Sequence, residues 1–389
     1  MHSQSFLTLY CGPIFFLYLC KLFELESKTY TMNNVTNRRL KAVVASMIFI
    51  SSVSFSQIDN MYFLRAGTTD AVKIIEAYFA PYADAFGAGL NGGWYNTAKP
   101  HKLGGFDITT SFNIGLVPSS AGTYNVEGLG LTTLTGSGLA PAISGPKDLA
   151  RPSLTKTIGG VTVASFMLPP GTGWKVIPVP TAQIGVGLPL GTELKVRYMP
   201  KINIKDGDIS LWGVGLMHSI MQYIPGNKLL PVDVSVFGGY TKLMSNIPLD
   251  LQPQTDAPQA YGPLYNATTS FINQKMSANV EAWNISAIGS VKLAVVTIYG
   301  GLGYTKTVTD IRLNGNYPLP VVDLAISTTE GVYKDEGVIN NFPAINIKNF
   351  SGVRANIGFR LKLSVITIHA DYTRAQYNVL SAGLGISFR

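Results

Sequence analysis

Residues 106–116 read FDITTSFNIGL. Phe106, Ile108, Thr110, Phe112, Ile114 and Leu116 alternate with Asp107, Thr109, Ser111, Asn113 and Gly115, one lipid-compatible face against one polar face. A period of two sends successive side chains to opposite sides of a strand. Strands of about nine to eleven residues suit a tilted bilayer crossing, whereas the ordinary strand has about five or six. The pattern recurs. Ile184, Val186 and Leu188 run on to Leu194, Val196 and Tyr198, across a turn at Pro189-Leu190-Gly191. Val353, Ala355, Ile357, Phe359, Leu361 and Leu363 alternate with Arg354, Asn356, Gly358, Arg360 and Lys362. A soluble sandwich also alternates, because one of its faces is buried; the repeated length is what favours a membrane barrel.

Eleven candidate strands emerge: 106–116, 159–168, 182–188, 192–199, 209–217, 232–242, 277–288, 291–304, 353–363, 366–374 and 379–388. Single-chain barrels normally carry an even number. The expected fold is therefore an all-β, transmembrane antiparallel β-barrel of about twelve strands, with fourteen as the alternative and Leu129–Leu134 as the strand that restores parity. Tight turns are expected near 189–191, 289–290 and 364–365, and long outer loops over 244–275 and 305–352.

Composition agrees. Only 13% of residues are charged and 40 are glycine, with 18 Phe, 19 Tyr and 4 Trp; soluble domains carry about a quarter charged residues. A helical membrane protein needs runs of about 20 apolar residues, and none occurs after residue 56. The net charge is +8, and Lys21, Lys28, Arg38, Arg39 and Lys41 against Glu24 and Glu26 leave +5 beyond residue 56. That balance forms no basic stripe, so no nucleic-acid partner is expected. Both cysteines, Cys11 and Cys20, precede residue 21.

The N-terminus reads as an address. Arg38, Arg39 and Lys41 precede an apolar stretch, Ala42 to Val53, and then Ser54-Phe55-Ser56, the layout of a signal peptide over 32–56. The mature chain is expected to begin at Gln57, with Met32 as the true start and 1–31 a mis-called extension. Residues 57–105 do not alternate. Thr68-Thr69-Asp70 offers a helix N-cap, and Ala71, Ile74, Ile75, Tyr78 and Phe79 follow at helical spacing up to Pro81. Apolar positions wrapping a short helix need enclosure, so 57–105 is expected to plug the barrel formed by 106–389, or to cap its mouth from the periplasm. A second helix-like piece spans Leu216 to Tyr223.

Several stretches resemble an uncharacterised family of Bacteroidota-type outer-membrane barrels: Gly92-Gly93-Trp94-Tyr95, Pro100 to Asp107, Gly187 to Leu194, and Gly213 to His218 with Ile224-Pro225-Gly226. In layout the chain is also similar to the long-chain fatty acid transporter group. The resemblance implies residence in the cell outer membrane, but transfers no site residues.

Asp107, Glu193, Lys195, Arg197, Arg354, Arg360 and Lys362 share the polar faces of their strands and are the lumen-lining candidates. Ile74, Ile75, Tyr78 and Phe79 are the plug helix. Trp94, Tyr95 and Phe388 read as interfacial aromatics. His369 and Asp371 share a face, as an oriented catalytic histidine requires, while neighbouring His218 and Ser219 point apart; both read as ordinary polar residues. No enzyme, metal or cofactor is expected. Expected partners are outer-membrane lipids, the barrel-assembly machinery, which reads an amphipathic last strand such as Leu380 to Phe388, and a small hydrophobic ligand. The function expected is passive transport of that solute, then a non-transporting scaffold, then, distantly, a hydrolase.

Overall fold

The computed structural model describes residues 68–388 except 159–160, 205–206, 226–230, 251–270, 323–330, 340–341 and 348–350. The expectations for 1–31, 32–56 and 57–67 lie outside the described residues. Ten antiparallel strands close into a barrel: β1 (Phe106–Leu116), β2 (Val176–Leu188), β3 (Thr192–Ile204), β4 (Gly207–Ser219), β5 (Val232–Pro248), β6 (Lys275–Leu293), β7 (Val296–Asn314), β8 (Ser351–Leu363), β9 (Ile366–Arg374) and β10 (Asn378–Phe388). Each pairs with its neighbours in the chain, and β1 meets β10 from Phe106↔Phe388 to Leu116↔Asn378. A short strand, Ile345–Ile347, adds to the far part of β7 from outside the ring.

Polarity is inside out. On β1, Phe106 and Ile108 are exposed while Asp107, Thr109, Ser111 and Asn113 are buried. Leu380, Leu384 and Ile386 on β10 are likewise exposed, and Ser381 and Ser387 buried. In water such an exterior forfeits the hydrophobic driving force; in a bilayer it is the stable arrangement.

Strands β5, β6 and β7 run 17, 19 and 19 residues, longer than the crossing requires. Their alternation switches face part-way. On β6 the exterior changes from Ile285 and Trp283 to Glu281, Ser277 and Lys275, while the interior changes from Ser286 and Asn284 to Val280 and Met276. Trp212, Tyr240 and Trp283 sit at this switch, their rings 5.3 and 4.4 Å apart in succession. Aromatics collect at the membrane–water boundary, and beyond it the wall is polar outside and apolar inside.

The count of twelve strands is corrected to ten. Residues 159–168 contribute Val161–Met167 to a small sheet with Ser153–Ile158 and Leu134–Thr135, within the 117–175 connection. Leu134 and Leu154 are buried on an apolar cluster. Alternation reports a half-buried strand, and does not say which sheet it joins. The turn expected at 289–290 falls at Ala294-Val295, with Ala294 at φ 52°, and that at 364–365 holds with Ser364 at φ 56°. Leu216 to Tyr223 is not helical: β4 continues to Ser219, and only Met221–Tyr223 form a 3-10 turn.

The switch of polarity gives a direct test. Leu384 is 59% exposed near the middle of β10. Leu384→Arg is expected to cost about 2–4 kcal/mol in lipid vesicles followed by urea unfolding. A cost within about 0.5 kcal/mol, as on a water-facing surface, would contradict the membrane-facing exterior.

Candidate functional site in the barrel lumen

The lumen is occupied by α1 (Thr68–Leu90), which touches β1, β2, β6, β7 and β10 and is therefore walled on several sides. The helix continues through Pro81, nine residues beyond the expected end. A proline inside a helix costs about 3 kcal/mol; enclosure by the wall outweighs it. Small residues make the fit. A Cβ on Gly87 would collide with Thr307, and one on Gly115 with the Ala85 carbonyl.

Ile74, Ile75, Tyr78 and Phe79 lie in the apolar cluster at the loop end, with Ile311, Leu313, Ile345, Leu134 and Leu154. Asp70, at the start of the helix, accepts hydrogen bonds from the backbone N–H groups of Thr132, Thr133 and Leu134 at 2.9, 2.7 and 3.0 Å. The Thr132 and Thr133 hydroxyls add two more, at 3.0 and 2.8 Å. Burial pushes the Asp70 carboxyl up, and these bonds outweigh it, so it is held below its ordinary 3.8.

The helix C-terminus is held by two of the expected lumen residues. Arg197 donates to the Leu90 carbonyl at 2.7 Å, the Gly92 carbonyl at 2.6 Å and the Gln183 side chain at 3.1 Å. Arg354 donates to the Asn91 carbonyl at 2.6 Å and to Thr373 at 3.2 Å. The last carbonyls of a helix lack intrahelical partners and carry the negative end of its dipole. Buried guanidinium groups satisfy both the hydrogen-bonding and the charge requirement.

Trp94 and Tyr95 are not interfacial. They are 1% and 5% exposed and pack inside the lumen with Phe237, Met217, Ile288 and Tyr299. The Arg197 guanidinium lies 3.6 Å from the Trp94 ring centroid, and the Tyr95 hydroxyl donates to Asn356 at 2.7 Å. They precede β1 inside the barrel, so their apolar area is buried against protein rather than lipid. Phe388 does face outward, its ring 5.0 Å from Phe106.

Towards the base, where β1 begins and β10 ends, Ser290 accepts from the Ala98 N–H at 3.0 Å and Ser235 donates to the Ala98 carbonyl at 2.5 Å. Below them Glu193 accepts from the His101 backbone N–H at 2.9 Å and lies 3.0 Å from His101 Nδ1. Lys195 Nζ is 2.5 Å from Glu193 Oε1 and 3.8 Å from Asp107 Oδ1, and His101 Nε2 meets Ser387 Oγ at 3.0 Å. His101, Asp107 and Glu193 are the one trio among the described residues with metal-ligating spacing. The Lys195 ammonium already stands between the two carboxylates as their counter-cation. The donor set is thus a latch in which one ammonium offsets part of the charge of two carboxylates. His101 and the serines carried no sequence signal; only the course of the plug brings them to the strands.

Arg360 is buried on β8 opposite His369 and Thr297, and Lys362 donates to the Ser387 carbonyl and hydroxyl at 3.1 and 3.2 Å. His369 and Asp371 take separate partners, Ser111 at 3.3 Å and Tyr299 at 3.0 Å. His218 bonds with Thr192 at 2.8 Å and Tyr223 at 3.0 Å.

Fold and lumen together define a closed ten-stranded β-barrel filled by the segment that precedes its first strand. The chain belongs to a family of unknown function, DUF6588, whose sequence profile matches residues 32–388. No curated protein matches it. Solved structures with some likeness include the attachment invasion locus protein Ail of Yersinia pestis, at 7% identity over 74% of this chain and 98% of that one, TM-score 0.23. The outer membrane protease OmpT of Escherichia coli gives 8% over 73% and 97%, TM-score 0.26. The transport unit of the autotransporter AIDA-I of Escherichia coli gives 9% over 80% and 98%, TM-score 0.25. Scores this low carry no argument, and the barrel reading rests on this chain's own strand pairing.

Two outcomes follow for the plug. Arg197→Met orphans two carbonyls inside the barrel and is expected to lower stability by about 3 kcal/mol in urea unfolding; an unchanged midpoint would contradict the capping role. The Asp70 contribution is fully present above about pH 4 and is lost as pH falls through its lowered value. Exchange protection at Thr133 and Leu134 is therefore expected to fall on acidification, and to lose that dependence in Asp70→Asn.

Proposed function

We propose that the protein resides in the outer membrane and handles a small hydrophobic solute, with the axial route closed to water-soluble ones. The observation that carries this reading is the filled lumen. From the loop end to the base the plug meets apolar clusters and paired charges, with Leu90, Val179, Leu211, Leu243, Val280 and Ala282 forming one apolar cluster in mid-barrel. Water-filled pores have polar, open interiors; this interior offers affinity for hydrocarbon. The base is then periplasmic and the 117–175 connection faces outward. The amphipathic last strand, Leu380 to Phe388, is the proposed handle for the assembly machinery, and no hydrolytic step is assigned.

A second reading, a scaffold for other envelope components, is favoured by the 117–175 connection, which folds two small sheets of its own. Planar-bilayer recording together with saturable binding of a fluorescent fatty acid in vesicles separates them. The wild type is expected to bind the probe and conduct no ions, and the double variant Arg197→Met/Arg354→Met to leak ions as the plug loosens. Ion conductance by the wild type would overturn the closed lumen; absence of saturable binding would overturn the solute and leave the scaffold.

A further inference from the structure

At the base of the lumen three parts of the chain meet through polar side chains. His101 stands at the end of the plug, Asp107 on β1 and Glu193 on β3. All three are buried. His101 Nδ1 lies 3.0 Å from Glu193 Oε2 and 3.8 Å from Asp107 Oδ1, and one ligand atom from each residue falls within 4.8 Å of the other two. Ligands about 2.0–2.2 Å from a tetrahedral ion stand roughly 3.3–3.6 Å apart. The observed spread brackets that spacing.

Asp107 supplies the independent sign of a ligand. Its Oδ2 accepts from the Thr109 hydroxyl at 2.7 Å, whereas its Oδ1 is buried and has no hydrogen-bond donor. Lys195 Nζ and His101 Nδ1 both stand 3.8 Å from that oxygen, beyond hydrogen-bonding reach. Lys195 makes its short contact with Glu193 Oε1 instead, at 2.5 Å. A buried carboxylate oxygen without a donor is costly, and buried charges are paired or coordinate metals. Asp107 Oδ1 is thus the point of the cluster that calls for a cation.

The groups around the trio hold it as metal ligands are held. A metal-bound histidine donates its other ring N–H to a fixed acceptor, and ligating carboxylates are themselves hydrogen-bonded. His101 Nε2 meets Ser387 Oγ at 3.0 Å, and Lys362 Nζ donates to the same oxygen at 3.2 Å. With an ion on Nδ1 the ring proton sits on Nε2, and the Ser387 hydroxyl accepts both bonds. Glu193 Oε2 accepts from the His101 backbone N–H at 2.9 Å. The wall opposite is bare: a Cβ on Gly185 would collide with Asp107 Oδ1 and Glu193 Oε1. Solvent is close, because Lys102, Leu103 and Gly104, which follow His101, are exposed.

We propose that His101, Asp107 and Glu193 form a binding site for a divalent transition-metal ion of the zinc type, which ties the end of the plug to β1 and β3. One imidazole nitrogen with carboxylate oxygens suits zinc and its first-row neighbours, whereas calcium and magnesium favour all-oxygen sets. Lys195 competes for the same carboxylates. The ammonium holds the latch without an ion, and the ion adds His101 as a direct ligand and reaches Asp107 Oδ1. The site stands apart from any solute the barrel handles.

The test uses the full chain in detergent micelles, stripped with a chelator and titrated calorimetrically with Zn2+. Saturable one-to-one binding is expected, together with a higher urea midpoint and no comparable response to Mg2+. Asp107→Asn and His101→Gln are each expected to weaken binding by at least about tenfold, the loss seen when even a residue that only supports a metal ligand is removed. Heat-modifiable gel mobility reports folding; should one of these chains fail to fold, the other carries the reading. Lys195→Met removes the competing ammonium and is expected to tighten binding several-fold, a gain that a purely structural latch does not give. His218→Ala, remote from the trio, is expected to leave binding unchanged. Failure of the wild type to bind Zn2+ overturns the site, as does a Lys195→Met chain that fails to bind more tightly. Binding that survives both ligand substitutions, or is lost in His218→Ala, is an adventitious ion only and overturns it equally.

Discussion

Backbone N–H and C=O groups have no water to bond with inside a bilayer, and every other feature of this molecule is arranged around that constraint. The ten-strand ring answers it by pairing each strand with two neighbours, including β1 with β10. Ladder closure frees the side chains from supplying the main stabilisation, so the exterior can be apolar and the interior polar. The prolines at 178, 180 and 200 are the local exception. They stand just past Gln183↔Arg197, where the described pairing of β2 with β3 ends.

The interior is governed by the same rule in a different form. A helix ending in mid-lumen leaves its last carbonyls without partners, and Arg197 and Arg354 reach across from opposite sides to satisfy them. Burying a guanidinium is costly unless it is paired and fully hydrogen-bonded; here the helix terminus provides acceptors and the favourable end of a dipole. At the base, the Glu193–Lys195–Asp107 cluster with His101 fixes the chain as it turns into β1. Five of the charges that the sequence pattern places along the lumen, Asp107, Glu193, Lys195, Arg197 and Arg354, are spent on anchoring the plug. A barrel so filled is poorly suited to bulk permeation.

Much of this was legible beforehand, unevenly. Phe106 to Leu116 and Leu380 to Phe388 announce membrane strands because lipid outside and a polar lumen inside leave a clean two-residue period. Ile74, Ile75, Tyr78 and Phe79 announce an enclosed helix for the analogous reason. The strand total was overcounted because Val161–Met167 alternates too, packed in a loop sheet. The face switch along β6 was equally hidden, since alternation on either side of Trp283 keeps the same period while exchanging inside for outside. Trp94 and Tyr95 misled because adjacency to a membrane strand suggests the interface, whereas the chain reaches that strand from within the barrel.

The sequence by itself determined the class of structure: alternation and strand length depend only on local residue order and on the two environments a membrane wall separates. Tertiary structure decided what the lumen contains and how the plug is held in it. His101 meeting Glu193 and Arg197 meeting Leu90 each join residues whose encounter depends on strand register and on the path of the plug. Register is a property of paired strands, so a pattern read along one strand carries no information about the residue that will stand opposite.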